Sequence, residues 1–335
     1  MKISTPFRFS FYMWGIIALC GGLSGACSEE ETTSTYYTTY SSYISGTLNT
    51  NAHDYRVKGT TVLLSANGVT SPDRNQVSFK WTITDTDAQT FWGQAIRYQC
   101  PNTGSSFTLA LAASAYDSYG LSASKTVMLI DDTFAATVRD ITPGASFTDS
   151  RDGQTYQYQH IGSFDWMTQN LNWNGAGKVY KNESEYGIIF GRCYSWTEAM
   201  STIRPVCPSG WRLPTNADWE DLGATLNGGQ ALSFAAHWRN VGSRASADAK
   251  INDRRLWPYD PNNTKQNTHG WNALPAGKIA GNDTSSDNGR YGYWWSADEF
   301  DNTNAFYRYI VYNNDLCYYN YGDKEGLYLS VRCVR

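Results

Sequence analysis

The sequence predicts two domains in series, an N-terminal all-β sandwich and a C-terminal α+β domain with two short helices and a twisted antiparallel sheet. The chain has 335 residues, the length of about two ordinary domains. Charged residues make up only 17% and aromatic residues 15%, a composition that favours β-structure over a helical cytosolic enzyme. Strand-like alternation fills residues 43–131, whereas residues 147–335 combine two helical patterns with strands.

The first 26 residues have the features of a bacterial secretory signal. Two basic residues precede an apolar stretch, residues 11–23, that is too short and too glycine-rich for a good membrane span. The stretch ends in "LSGAC", which resembles the lipobox of a lipoprotein and implies lipidation of Cys27. The alternative is an ordinary signal peptide that is cleaved near Ala26.

Residues 27–42 are predicted to be a tether, because they are acidic and rich in serine, threonine and tyrosine without a period. The "SEEE" after Cys27 resembles the surface-export signal of lipoproteins in the Bacteroidetes, and the alternative is a merely solvated acidic segment. The sequence therefore predicts an outer membrane lipoprotein, exposed at the cell surface, with the membrane as a partner through its lipid anchor.

The charge of the exported chain argues against nucleic acid as a partner. Beyond residue 26 the sequence carries 25 basic and 31 acidic residues, a net charge of −6. Affinity for nucleic acid depends mainly on Lys and Arg that neutralise phosphates. The sequence has no basic patch of that kind.

The predicted sandwich spans residues 43–131 and is followed by a linker, residues 132–146. Phe79, Trp81 and Ile83 alternate with polar residues, so one face of that strand should be buried. The pattern "FKW…FTLALAASAYDSYG…ASKTV" resembles PKD-like or bacterial Ig-like domains. The resemblance implies a spacer, with a binding role as the alternative.

Two helical patterns follow in the C-terminal part. The first spaces four apolar residues on one face and stops at Pro205. These residues are Trp196, Ala199, Met200 and Ile203. The second begins with a capping box at Thr215 and Asp218 and places Trp219 and two leucines on one face. Beyond it the chain is predicted to be loop and strand.

Six segments occur in the order found in one family. They are "DGQTYQYQHIGSFDWMTQNLN", "GRCYSWTEAM", "CPSGWRLPTNADWEDL", "GWNALPAGKIAG", "YGYWWSADE" and "LSVRCVR". Together they resemble the Fibrobacter succinogenes major paralogous domain over residues 147–335. The resemblance implies a C-type-lectin-like fold, related to that of formylglycine-generating enzymes, in exported and often lipidated proteins. Adhesion or glycan binding is the function usually suggested for them.

The C-type-lectin-like resemblance also implies a disulfide between the first helical region and the last strand. In this chain the cysteines at those places are Cys207 and Cys333, and the alternative is two buried thiols. A second disulfide could join Cys193 and Cys317, which would leave Cys100 free. No CxxC spacing suggests zinc or thioredoxin-type chemistry.

The sequence favours a protein that is not an enzyme. Its four histidines have no metal-binding spacing, and no nucleophile elbow marks a Ser/His/Asp set. The fold resemblance alone raises a redox enzyme of the formylglycine-generating kind, but a fold does not transfer a function.

No cofactor is expected, and calcium is the one ion with candidate ligands. Asp283, Asp287 and Asn288 lie in the glycine-bounded loop "GNDTSSDNGRYG" and offer oxygens of the type that calcium prefers. Their spacing is not that of an EF-hand, so the alternative is a polar turn.

A tyrosine-rich strand is the leading candidate for a binding site. Tyr307 and Tyr309 should share one face, and Tyr312 should lie on the other. Tyrosine suits recognition surfaces because it offers a ring and a hydroxyl at little entropic cost. The predicted ligand-binding residues are Tyr307, Tyr309, Tyr312, Asn313, Asn314 and Asp315. The alternative is cross-strand packing within the sheet.

Adjacent tryptophans in "YGYWWSADE" raise a related question. Neighbouring residues of a strand point to opposite faces, so Trp294 and Trp295 should serve the architecture rather than form one sugar clamp. The sequence as a whole predicts a surface binding or adhesion protein that recognises a glycan or a protein partner. The rival function is a structural scaffold for cell-surface assembly with no small ligand.

Overall fold

The computed structural model describes residues 44–71, 77–115, 120–261 and 263–335. The predicted signal peptide, the lipidation site Cys27 and the whole of the tether lie outside the described residues. Within the described ranges the chain is mostly β-sheet, with twenty strands and five short α-helices. None of these helices is long and apolar enough to cross a membrane.

The first eight strands form two sheets. They are β1 Ser45–Thr50, β2 Tyr55–Val57, β3 Thr61–Thr70, β4 Ser78–Thr84, β5 Ala88–Trp92, β6 Ala95–Gln99, β7 Ser106–Ser114 and β8 Leu121–Ile130. One sheet has the order β1-β3-β6 and the other β2-β8-β7-β4-β5. Apolar side chains of both sheets share one core, so the two sheets pack as layers. On β4, Trp81 and Ile83 are fully buried and Phe79 is partly buried, which confirms the predicted alternation.

The rest of the chain contains α1 Phe134–Thr137 and a larger set of mixed elements. The strands are β9 Ala145–Thr148, β10 Thr155–Ile161, β11 Phe164–Met167, β12 Cys193–Ser195, β13 Lys250–Ile251, β14 Arg254–Arg255, β15 Lys278–Ala280, β16 Ser285–Ser286, β17 Tyr291–Glu299, β18 Asn304–Val311, β19 Cys317–Asp323 and β20 Leu327–Ser330. The helices are α2 Ser184–Phe190, α3 Trp196–Ala199, α4 Asn216–Leu226 and α5 Val241–Ala245. A 3₁₀ turn spans Tyr180–Asn182.

A seven-stranded sheet organises this part of the molecule. Its order is β16-β15-β20-β17-β18-β19, with β12 also paired to β20. Only the β17–β20 pair is parallel, and the last strand returns to the centre of the sheet. Separate hydrophobic clusters cover its two faces: one contains Trp295, Leu329 and Cys333, and the other contains Trp294 and Ile310.

The two predicted helices are found, but only the second has the predicted extent. The α4 helix starts with a capping box at Thr215 and Asp218 and buries Trp219. The first, α3, ends at Ala199 after a single turn, so the prediction that Met200 and Ile203 extend its buried face is wrong. Both side chains are exposed, Ile203 by 91%. The chain leaves the helix there to reach the bonded Cys207.

Helix α2 was not predicted, and it packs against the sandwich. The run "GIIF" inside it has no helical period, which is why the pattern did not indicate a helix. Its Glu185 forms an ion pair with Arg56 of β2, with an N–O distance of 2.9 Å. Its Tyr186 donates a hydrogen bond to Asp54 at 2.6 Å. The sandwich and the C-terminal part therefore share polar and apolar contacts beyond the covalent connection.

Candidate functional site

The two adjacent tryptophans are both fully buried, on opposite faces of β17. Trp294 belongs to one hydrophobic cluster and Trp295 to the other. Their indole N–H groups donate to Asn170 Oδ1 at 2.9 Å and to the Tyr194 carbonyl at 2.8 Å. A Cβ on Gly292 would lie 2.3 Å from the Trp294 ring, so that ring fits only over a glycine. The pair is architectural, as predicted, and neither indole is available to a ligand.

The face that carries Trp295 continues outward as a patch of tyrosines, the tyrosine face. Its members alternate along three neighbouring strands and are Tyr291, Tyr293, Tyr307, Tyr309 and Tyr318. The register places Tyr293, Tyr309 and Tyr318 directly opposite one another. The ring centroids are 5.6 Å apart for Tyr293 and Tyr309, and 4.8 Å apart for Tyr309 and Tyr318.

Stacking determines which part of each ring faces outward. Tyr309 lies between two near-parallel rings, at interplanar angles of 29° and 13°, so both of its ring faces are covered. The patch therefore presents ring edges and hydroxyls, and sugar rings cannot stack on the face of Tyr309. This arrangement agrees with the cross-strand packing that the sequence also allowed.

Four hydroxyls of the tyrosine face are free to bind. Tyr293 donates to Asp287 Oδ2 at 2.9 Å. The other four tyrosines are half-buried, and within the described ranges their hydroxyls have no hydrogen-bond partner. Burial raises the pKa of Tyr307 to about 12, with a smaller contribution from Tyr309. The Tyr307 hydroxyl is therefore protonated at neutral pH, and a tyrosine hydroxyl can donate as well as accept a hydrogen bond.

The remaining predicted ligand-binding residues do not join this patch. Tyr312 packs with the cluster on the opposite face of the sheet. The turn after it is held by a distant segment: the Tyr312 carbonyl accepts from Asn263 at 2.9 Å and from Lys265 at 3.0 Å. Asn263 also donates to the Asn314 carbonyl, and the Asp315 carbonyl accepts from the Gly242 N–H. Asn313 is exposed and lies apart from the tyrosines.

A comparison with protein-family models identifies the family of the C-terminal part of the chain. Residues 160–335 match the model of the Fibrobacter succinogenes major domain. The chain belongs to this family. A search of the curated proteins finds no match to the chain. The match includes the whole tyrosine face, and the sandwich lies before it.

The Fibrobacter succinogenes major domain contains the disulfide that the resemblance implied. Cys207 and Cys333 are bonded, with a Cα–Cα distance of 5.8 Å and a sequence separation of 126. The predicted Cys193–Cys317 disulfide is absent, because both are free thiols in separate clusters of the core. Cys100 is free and buried in the sandwich.

The three calcium candidates of this domain are not arranged as one ligand set. Asp283 Oδ1 is 2.6 Å from Lys178 Nζ, and Asp287 Oδ2 is 3.3 Å from Lys278 Nζ. Asn288 donates its amide to the Pro275 and Ala276 carbonyls. Elsewhere in the described part of the chain, no group of three or more His, Cys, Asp or Glu side chains could hold a metal ion. The polar turn is the better description of this loop.

Three tyrosines of the patch were missing from the predicted site. Alternation in "YGYWW" places Tyr291 and Tyr293 on the face of Trp295, a signal that the sequence does contain. Tyr318 joins only through the register of β18 with β19, which sequence alternation does not determine.

Proposed function

We propose that this protein is an exported, lipid-anchored binding protein of the cell surface. Its Fibrobacter succinogenes major domain recognises a glycan through the tyrosine face and catalyses no reaction. In this proposal the lipid on Cys27 and the tether hold the protein at the outer membrane. An Ig-like or PKD-like sandwich then presents the C-terminal domain, which has a C-type-lectin-like fold.

The observation that carries the proposal is the set of four unpaired hydroxyls on one half-buried face. Folding alone does not require tyrosine at these places, because phenylalanine would give the same ring packing. Tyr309 and Tyr318 stack closely, yet each keeps a hydroxyl that no described residue uses. Hydroxyl groups that both donate and accept suit a polyhydroxylated ligand.

A glycan array probed with the full chain in detergent tests this proposal. The double variant Tyr309→Phe/Tyr318→Phe removes two hydroxyls and keeps both rings. We expect about a thirtyfold loss of affinity for the glycan that binds, since each of the two lost hydrogen bonds contributes roughly 1 kcal/mol. The melting temperature should not change.

The matched control is Tyr319→Phe/Tyr321→Phe, on the same edge strand β19 but on its other face. This control should bind as the unmodified chain does. A blank array would refute glycan recognition. Capture of a surface protein that depends on Tyr309 and Tyr318 would then indicate protein recognition, and capture of nothing would favour the scaffold.

A further inference from the structure

A cleft of about 300 Å³ lies between the sandwich and the C-terminal part. This volume is at the lower end of the range for small-molecule sites, which occur often at domain interfaces. Strands β2 and β8 line one side, and helix α2 and the β13–β14 hairpin line the other. Met128, Phe190 and Leu256 give the cleft an apolar part that a ring or a short hydrocarbon chain could occupy.

Two groups of the cleft are available to a ligand. The Arg254 guanidinium contacts only Met128 Sδ, at 3.7 Å, and has no carboxylate partner among the described residues. Tyr55 also lines the cleft, and its hydroxyl has no hydrogen-bond partner there. Tyr55 and Arg254 both line this cleft, and burial raises the pKa of Tyr55.

The hairpin that carries Arg254 is anchored to the sandwich. Asn252, in the turn of its hairpin, donates to the Ser105 and Leu129 carbonyls of the sandwich at 2.9 and 2.6 Å. The neighbouring Arg255 is already paired with Asp248 at 2.8 Å. The anchored hairpin therefore places the exposed Arg254 at the cleft, without a carboxylate partner among the described residues.

The one carboxylate of the cleft does not prevent an anion from binding. Asp54 is 2.9 Å from Lys125 Nζ and 2.7 Å from Lys181 Nζ, and it accepts a hydrogen bond from Tyr186. Burial alone would raise its pKa, but these three hydrogen bonds outweigh burial and lower it. Asp54 is therefore charged and paired with two lysines, whereas Arg254 has no carboxylate partner among the described residues.

We propose that this cleft binds a small carboxylate with a ring-shaped body. The carboxylate pairs with Arg254 and accepts a hydrogen bond from the Tyr55 hydroxyl, while the ring packs on Met128, Phe190 and Leu256. Arginine presents a planar pair of donors that matches a carboxylate, which favours this anion over a spherical one. The site is separate from the tyrosine face and does not depend on the function proposed for it.

Calorimetric titration of the full chain in detergent tests the site with three probes. Glucuronate represents the acidic sugars, and benzoate represents the aromatic acids. Glucose is the control for glucuronate, because it has the same ring without the carboxylate. We expect one of the two carboxylates to bind and glucose not to bind. The carboxylate that binds identifies the class of ring, and its affinity should fall as salt is added.

Arg254→Gln should weaken that binding about tenfold or more, and Tyr55→Phe roughly threefold to tenfold. Arg97→Gln is the matched control, because Arg97 is an exposed arginine on β6 that does not line the cleft. Three results would each overturn the proposal. The first is unchanged binding by Arg254→Gln, and the second is that glucose binds as well as glucuronate. The third is that neither carboxylate binds at 10 mM (about the weakest affinity worth measuring). If Arg254→Gln does not fold, the weaker binding expected of Tyr55→Phe serves as the test instead.

Discussion

Arg56 Nη1 lies 2.9 Å from Glu185 Oε1, and this ion pair joins the β-sandwich to helix α2 of the C-terminal part. Only 14% of the Arg56 side chain and 6% of the Glu185 side chain are exposed. His53 Nδ1 approaches the second carboxylate oxygen at 3.3 Å. Because both partners are mostly withdrawn from water, neither is well solvated if the other is removed.

Glu185→Ala should therefore destabilise the protein by about 3 kcal/mol, the cost of leaving one buried charge without its partner. Urea unfolding, followed by tryptophan fluorescence, measures this loss. The control is Asp248→Ala, which breaks the exposed ion pair with Arg255 and should cost no more than about 0.5 kcal/mol. Equal midpoints for the two variants would mean that the contact between sandwich and helix contributes little to stability.

The same carboxylate should make stability depend on pH in the acid range. Burial alone would raise the pKa of Glu185, but hydrogen bonds from His53, its own backbone and Arg56 lower it from 4.5 to about 2. The stabilisation is thus complete above the unfolded pKa and is lost as the pH falls through the folded pKa. Urea midpoints should decline between pH 5 and 2 (about the interval between the two pKa values), and Glu185→Gln should show a smaller decline. If the urea midpoints of Glu185→Gln and of the unmodified chain decline equally, the pH dependence comes from other carboxylates, such as Asp54.

Local patterns predicted those features that depend on a strand and its immediate neighbours. Alternation was enough to place Trp294 and Trp295 on opposite faces, and Trp81 in the sandwich core. The Cys207–Cys333 disulfide followed from the family resemblance and not from any local pattern. The tyrosine face was half predicted, because alternation determines the face of a residue but not the register of its neighbouring strand.

Features that depend on distant segments could not be predicted in this way. Arg308 looks like an exposed residue of an amphipathic strand, yet it is fully buried. Its guanidinium lies 3.3 Å from the centre of the Trp238 ring and donates to the Ala236 carbonyl, 72 residues earlier. The turn after Tyr312 is likewise held by distant residues, Asn263 and Lys265. No local pattern shows which distant segments pack against the sheet and hold its turns.

Removal of the disulfide should cost more stability than any single substitution above. It closes a loop of 126 residues, for which the chain-entropy model gives about 5 kcal/mol. We expect the double variant Cys207→Ala/Cys333→Ala to unfold at much lower urea concentration, and the unmodified chain to do the same under a strong reductant. Cys317→Ala, which leaves the disulfide intact, is the control. If the double variant and the control unfold at the same urea concentration, the disulfide contributes little to stability.

The free thiols should resist alkylation in the native protein. Burial raises the pKa of Cys193 to about 12 and that of Cys317 to about 11. At pH 8 a thiol of pKa 11 is ionised in about one molecule in a thousand, and only the thiolate reacts readily. Peptide mass spectrometry after iodoacetamide treatment should find both unlabelled in buffer and labelled in urea. Rapid native labelling of either would contradict the burial that the structure shows.

Asn170 should be one of the most sensitive positions of the Fibrobacter succinogenes major domain. Its side-chain oxygen accepts from Trp294 and from the Nε of Arg332, both at 2.9 Å. Its amide donates to the Phe190 carbonyl at 2.8 Å. Arg332 is fully buried without a carboxylate partner among the described residues, and burial lowers its pKa well below the usual value. Asn170 therefore satisfies polar groups from three segments at once.

Asn170→Ala leaves the Trp294 indole N–H and the Arg332 Nε without an acceptor inside the core. Each unsatisfied buried donor costs about 1 to 3 kcal/mol, so the variant should lose roughly 3 kcal/mol or more. Urea unfolding provides the measurement. Asn313→Ala is the matched control, because Asn313 is exposed and its loss should stay within about 0.5 kcal/mol. If both variants unfold at the same urea concentration, water replaces the amide and Arg332 does not depend on Asn170.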